Sequence, residues 1–239
     1  MLDKLNLEKI LFLDIETVPQ FQDFGELPEA TQKLWEKKAA FLMRNEEKTA
    51  EEIYERAGIY AEFGKIVCIS VGVFRDSPAG RKVRITSFAD DNEEKLLKGF
   101  KNMLLEHFNS PYHALCGHNG KEFDFPYIAR RMLINGISLP HALNIAGKKP
   151  WEINHIDTME LWKFGDFKNY TSLELLAHVF GIPTPKDDID GSQVRSVYYD
   201  EKNLDRIVEY CQKDVVTLIQ LMLRYKGEPL LEDYQIDFV

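Results

Sequence analysis

The chain has 239 residues, 44% hydrophobic and 29% charged, with a formal net charge of −9. That length buries one sizeable core, and the hydrophobic share excludes general disorder. The acidic balance argues against coating nucleic acid through a basic face, although it suits an enzyme that gathers cations at an acidic centre.

Residues 9–18 (KILFLDIETV) form a near-continuous apolar run that turns acidic at its C-terminal end, the pattern of a central strand. Residues 20–62 change character. Pro28 opens a charged helix-forming segment with Leu34, Trp35, Phe41 and Leu42 as its apolar positions. Thr49 and Glu52 then make a capping-box pattern ahead of Ile53, Tyr54, Ala57 and Tyr60. The segment reads as two helices inserted between strands.

Residues 65–75 and 83–88 flank a turn-rich DSPAG and read as a hairpin. Residues 90–108 carry Leu96, Leu97, Phe100, Met103, Leu104 and Phe108 at helical spacing. Residues 113–118 (HALCGH) are a short buried strand, and 125–134 a helix stopped by Gly136. Residues 151–162 read as a strand and a helical turn. Thr171 or Ser172 caps a helix reaching Phe180, with Gly181 and Pro183 past its end. Residues 186–193 are a loop. Residues 200–225 form a long amphipathic helix with Leu204, Ile207, Val208, Cys211, Val215, Leu218 and Met222 on one stripe.

No repeat or linker interrupts this series, so a single domain over 1–239 is expected. Its architecture is α/β: a mixed sheet flanked by helices, antiparallel in strands one to three and parallel in four and five. The longest apolar stretch, 66–74, has a strand's length, so no membrane span is expected. Cys68, Cys116 and Cys211 lie far apart in apolar runs and read as buried free thiols. Acids inside the first apolar run argue against a secretory signal, and a cytoplasmic location is expected.

Three short stretches carry possible chemistry. In a strand, Asp14 and Glu16 share a face with about 6–7 Å between them along the backbone. Two buried like charges resist ionisation unless a cation is present, and the ordinary alternative is a strand end fraying into solvent. Asp124 falls at a helix entry, where an Asp is commonly an N-cap. Tyr210 and Asp214 stack at i and i+4, with Asp214 inside the apolar arc of its helix, where an ion pair or a metal would satisfy it. Jointly, four carboxylates from two strand ends and two helices are what hard divalent cations require. Two such ions roughly 4 Å apart can clamp a phosphodiester.

In order and separation, FLDIETVP, HNGKEFD and YCQKD resemble the three motifs of the DEDD exonuclease superfamily. DIETVP and IDGSQV are similar to the free-standing predicted 3′–5′ exonucleases related to the proofreading domain of family-B DNA polymerases. The resemblance runs from about residue 9 to 225, with the insert at 20–62 as its least typical part. It implies a ribonuclease-H-like fold and two cations, Mg²⁺ or Mn²⁺. Asp14, Glu16 and Asp214 would hold one cation, while Asp14 and Asp124 would reach the second. Tyr210 would orient the attacking water. Glu209 stands where the sister subfamily has a His, which indicates the tyrosine branch.

The implied activity is release of nucleoside monophosphates from single-stranded 3′ ends, DNA before RNA. An exoribonuclease similar to RNase D and a non-catalytic binding module on the same fold are the alternatives. Ile15, Thr17, Asn119 and Phe123 are the expected substrate contacts. Phe125 is a second stacking candidate, with core packing as its competing role. Lys121, Lys168, Lys186, Arg195 and Lys213 are possible phosphate contacts. His118 beside the second motif invites a general-base reading, with a satisfied strand-end histidine as the favoured one, and Asp157, close after His155, reads as a structural or substrate-side acid. The tail Gln235, Ile236, Asp237, Phe238 and Val239 loosely resembles a peptide that docks bacterial DNA enzymes on sliding clamps. An ordinary packed terminus is the competing reading.

Overall fold

Apolar side chains on both faces of one strand call for helices on both sides of it. The computed structural model, which describes residues 2–43, 48–77, 80–166, 170–183 and 189–239, places that strand near the middle of a six-stranded sheet. In chain order the elements are β1 (Ile10–Pro19), α1 (Glu29–Leu42), a 3₁₀ turn (Tyr54–Ile59), β2 (Gly64–Ser77) and β3 (Gly80–Ala89). There follow α2 (Glu93–His107), β4 (Ala114–Gly117), α3 (Asp124–Ile134), β5 (Ile156–Asp157), α4 (Thr158–Lys163) and α5 (Leu173–Val179). The chain closes with α6 (Val194–Tyr199), α7 (Leu204–Tyr225) and β6 (Ile236–Phe238).

The strand order is β5-β4-β1-β2-β3-β6, with β1, β2 and β3 antiparallel and the remaining pairings parallel. This is the expected mixed sheet with one strand more than the sequence suggested. Leu11, Leu13 and Ile15 of β1 pack with Leu97 and Phe100 of α2 and Ile128 and Met132 of α3. Ile10 and Phe12 pack on the other face, against Val215, Leu218 and Met222 of α7. Strand alternation therefore turns Asp14 and Glu16 towards α7. Gly72 of β2 lets α7 lie close: a Cβ there would stand 2.6 Å from Ile219 Cδ1 and 2.9 Å from Val215 Cγ1.

The insert differs from expectation in its second half. The capping box forms, with Thr49 N donating to the Glu52 carboxylate (2.6 Å) and Glu52 N donating to Thr49 Oγ1 (3.2 Å). It closes a turn, and the chain continues into a 3₁₀ turn in place of an α-helix. Tyr54, Ala57 and Gly58 are buried there, and aromatic packing on Trp35 decides the local conformation over helix propensity. In α1, Trp35 and Ala39 form the buried face, while Leu34 and Phe41 stay exposed.

Short α6 has β-branched and aromatic residues that disguise it in sequence; burial of Val194 and Val197 holds it as a helix. The sixth strand is the tail. Gln235 Nε2 donates to Arg81 O (2.8 Å) and Val239 N to Ile85 O (3.0 Å), so the clamp-like peptide runs along the edge of β3.

Candidate active site

Asp14 and Glu16 lie midway along β1, which runs on to Pro19 instead of ending at them as the sequence suggested, just before a register shift against β2 between Glu16 and Thr17. Opposite them, α7 presents Tyr210, Cys211 and Asp214. Asp14, Glu16, Thr17, Phe123, Tyr210 and Asp214 line one cleft of about 720 Å³. The Tyr210 hydroxyl donates to the Asp214 carboxylate. Asp124, at the first turn of α3, is almost wholly buried, and its Oδ1 accepts a hydrogen bond from Ile15 N at 3.2 Å. It does not act as the N-cap, a position held by Phe123; its carboxylate instead joins the start of α3 to the acidic stretch of β1.

Burial sets the electrostatics. It pushes the Asp14 carboxyl well above its ordinary range, and the charges of Asp124, Glu16 and Asp214 push it further. Glu16 is raised by burial first and then by Asp214. Asp124 is raised to about 7, chiefly by burial, against the lowering effect of hydrogen bonds from its own N–H and that of Ile15. Burial, followed by the charge of Asp214, keeps the Tyr210 phenol protonated. The carboxyl groups are desolvated and repel one another, and a cation bound among them would relieve both penalties.

Cys211 is a member that sequence reasoning did not assign. Its ligand atom and those of Asp14 and Glu16 lie within 4.8 Å of one another, and its Sγ stands 3.5 Å from both Asp14 O and Asp14 Oδ2. The signal was present: Cys211 and Asp214 are three apart and share a helix face. The insert supplies further lining residues that motif reading missed, among them Arg56 and Ile59.

Of the expected substrate contacts, Ile15, Thr17 and Phe123 line the cleft. The Thr17 side chain also shares a hydrogen bond with the Tyr127 hydroxyl. Asn119 is outside that lining; it has a left-handed φ of 63°, and its N–H donates to Asp157 Oδ1 (3.0 Å). Phe125 is a core residue. Asp157 is structural, accepting from the N–H groups of Asn119, Lys121 and Met159. His118 contacts Thr158 Oγ1 (2.9 Å) and Thr171 O (2.8 Å) through its two nitrogens. His155 accepts from Leu115 N and donates to Ala142 O, and burial lowers it to about 4.

Lys121 pairs with Glu160 at 2.6 Å and is not among the residues lining the cleft. Arg195 lines the cleft, with its Nη2 donating to Gln22 O (2.6 Å) and Asp23 Oδ1 (3.3 Å). Lys168 and Lys186 lie outside the described residues.

A family model described as predicted 3′–5′ exonuclease related to the exonuclease domain of PolB matches residues 59–231. That stretch contains Asp124, Tyr210 and Asp214, while Asp14 and Glu16 precede it. Among solved structures, the chain is similar to the family B DNA polymerase from the hyperthermophilic archaeon Pyrobaculum calidifontis, at 16% identity and a TM-score of 0.53. The match covers 90% of this chain and 24% of the polymerase chain, a likeness of fold.

Proposed function

Because this chain belongs to the family of predicted 3′–5′ exonucleases related to the exonuclease domain of PolB, we propose that it releases nucleoside monophosphates from single-stranded 3′ ends, DNA before RNA. The observation that carries the proposal is the meeting of Asp14, Glu16 and Asp214 with Tyr210 in one cleft, with buried Asp124 close enough to raise the proton affinity of Asp14.

The donor set fits a pair of hard divalent cations. Its four carboxylates offer oxygen ligands, and their repulsion and burial are penalties that two divalent charges offset. Asp14, Glu16 and Asp214 would hold one ion and Asp14 with Asp124 the other, Mg²⁺ or Mn²⁺ in each case. Bound there, the ions supply Lewis acidity for in-line displacement at phosphorus. The chain's own groups do the rest. The Tyr210 phenol, whose O–H is donated to Asp214, presents its oxygen as an acceptor that orients the attacking water. Ile15 and Phe123 give the terminal nucleotide an apolar floor on which a base can stack.

The test is a time course on end-labelled single-stranded DNA, duplex DNA and RNA, each with Mg²⁺, Mn²⁺ or EDTA. Polar shortening from the 3′ end of single-stranded DNA, abolished by EDTA, is the expected result. Faster loss of RNA would move the assignment to an exoribonuclease, and no shortening with either ion would leave the binding module. Docking on a sliding clamp through Gln235, Ile236, Asp237, Phe238 and Val239 would require β6 to leave β3.

A further inference from the structure

Resting on the exonuclease reading, we infer that the turn Tyr54–Ile59 of the insert is a fixed second jaw of the cleft, and that Arg56 on it grips a phosphate of the substrate strand while Ile59 packs on the adjoining sugar or base. The charge arithmetic gives such a group a role. Two divalent ions would neutralise the four carboxylates and leave nothing over for the strand's other phosphates, on a chain whose net charge is −9. A further phosphate held in the cleft therefore needs a cation from elsewhere.

Three basic side chains line the cleft: Lys48, Arg56 and Arg195. Arg195 is committed to Gln22 and Asp23. Arg56 is exposed and joins no ion pair among the described residues. Of its acidic neighbours in the lining, Glu52 is tied to Thr49, and Glu55 is one residue away on the same turn. Ile59, at the end of that turn, exposes half of its surface beside them.

The turn that carries both residues is anchored from behind. Tyr54 and Ala57 are buried against Trp35 and Ile53. Gly58 O accepts from the Tyr127 hydroxyl at 2.7 Å, and Ala61 O accepts from Arg131 Nη1 at 2.8 Å. Arg131 is held in turn by a buried pair with Glu93 at 2.6 Å. The guanidinium is thus mounted on rigid structure, which is what a positioning contact to phosphate needs.

The test compares wild type, Arg56→Gln, Arg56→Lys and Ile59→Ser on an oligodeoxythymidylate and on thymidine 5′-p-nitrophenyl phosphate, which lacks the neighbouring phosphates. Arg56→Gln should raise KM on the oligomer roughly tenfold more than on the small ester. It should also lower the salt dependence of kcat/KM on the oligomer by about 0.7 in the log–log slope. Arg56→Lys should keep that slope, and Ile59→Ser should raise KM without changing it. If wild type shortens the oligomer and Arg56→Gln matches it in KM and slope, the jaw is refuted while the exonuclease reading stands. If wild type shortens no strand with either ion, the functional reading fails first and takes this inference with it.

Discussion

Neutralising one of the clustered acids should make the metal-free protein more stable, and only at high pH. Asp124 is the best place to see this. Its carboxyl lies at about 7 in the fold against an ordinary 3.8, because burial outweighs the hydrogen bonds it accepts. Below the ordinary value both folded and unfolded chains hold the proton, and nothing is lost. Between about 3.8 and 7 the unfolded chain ionises while the folded one does not, so stability declines as pH rises through that window. The full span is on the order of 4 kcal/mol. Asp14 and Glu16 share the same protons, so a single substitution should recover about 1–2 kcal/mol. Asp124→Asn keeps an oxygen for Ile15 N and removes the charge. In EDTA at pH 8, urea unfolding should show the variant more stable by that amount, and at pH 4 the two proteins should nearly coincide. Mg²⁺ at pH 8 should reverse the ranking, since it binds the folded wild type. An equal gain at both pH values, or a loss at pH 8, would refute the electrostatic account.

Activity should follow the roles given to the side chains. Asp14→Asn or Asp214→Asn should lower the exonuclease rate roughly 10³-fold with an unchanged circular dichroism spectrum, and Tyr210→Phe by about 100-fold or less. Arg131→Met leaves Glu93 buried without its charge partner and should cost about 3–5 kcal/mol in urea unfolding; a cost under about 1 kcal/mol would show the pair to be dispensable. Truncation after Tyr234 removes β6 and exposes the edge of β3, so light scattering should report more self-association. The same truncated chain tests clamp docking: binding equal to that of the full chain, or no binding by either, ends that idea.

Much of this molecule is readable from period and punctuation. The run at 9–18, the helix at 90–108 and the stripe of α7 are long and strongly patterned, and the structure has them within a few residues of their expected bounds. Strand alternation put Asp14 and Glu16 on one face and i,i+4 spacing put Tyr210 beside Asp214, while only the resemblance to exonuclease motifs joined Asp124 to them. What could not be read is what tertiary packing decides. Thr49 and Glu52 formed their capping box, yet Trp35 claimed Tyr54 and Ala57 and no α-helix followed. Asp124 carries an N-cap's sequence signature, but its hydrogen-bond partner is Ile15, 109 residues away in the chain. Asp157, read in the sequence as a structural or substrate-side acid, is occupied by backbone N–H groups that only the folded loop brings to it.

In the 3₁₀ turn of the insert, inward-facing Tyr54 and Ala57 alternate with outward-facing Arg56 and Ile59. Foundations and working surface are therefore different residues of one short peptide. Outward positions can be exchanged without repacking the aromatic cluster and without moving the acids across the gap. On the proposed reading, preference among strands would be separable from bond breaking, and libraries confined to residues 55, 56 and 59 would retune one while sparing the other.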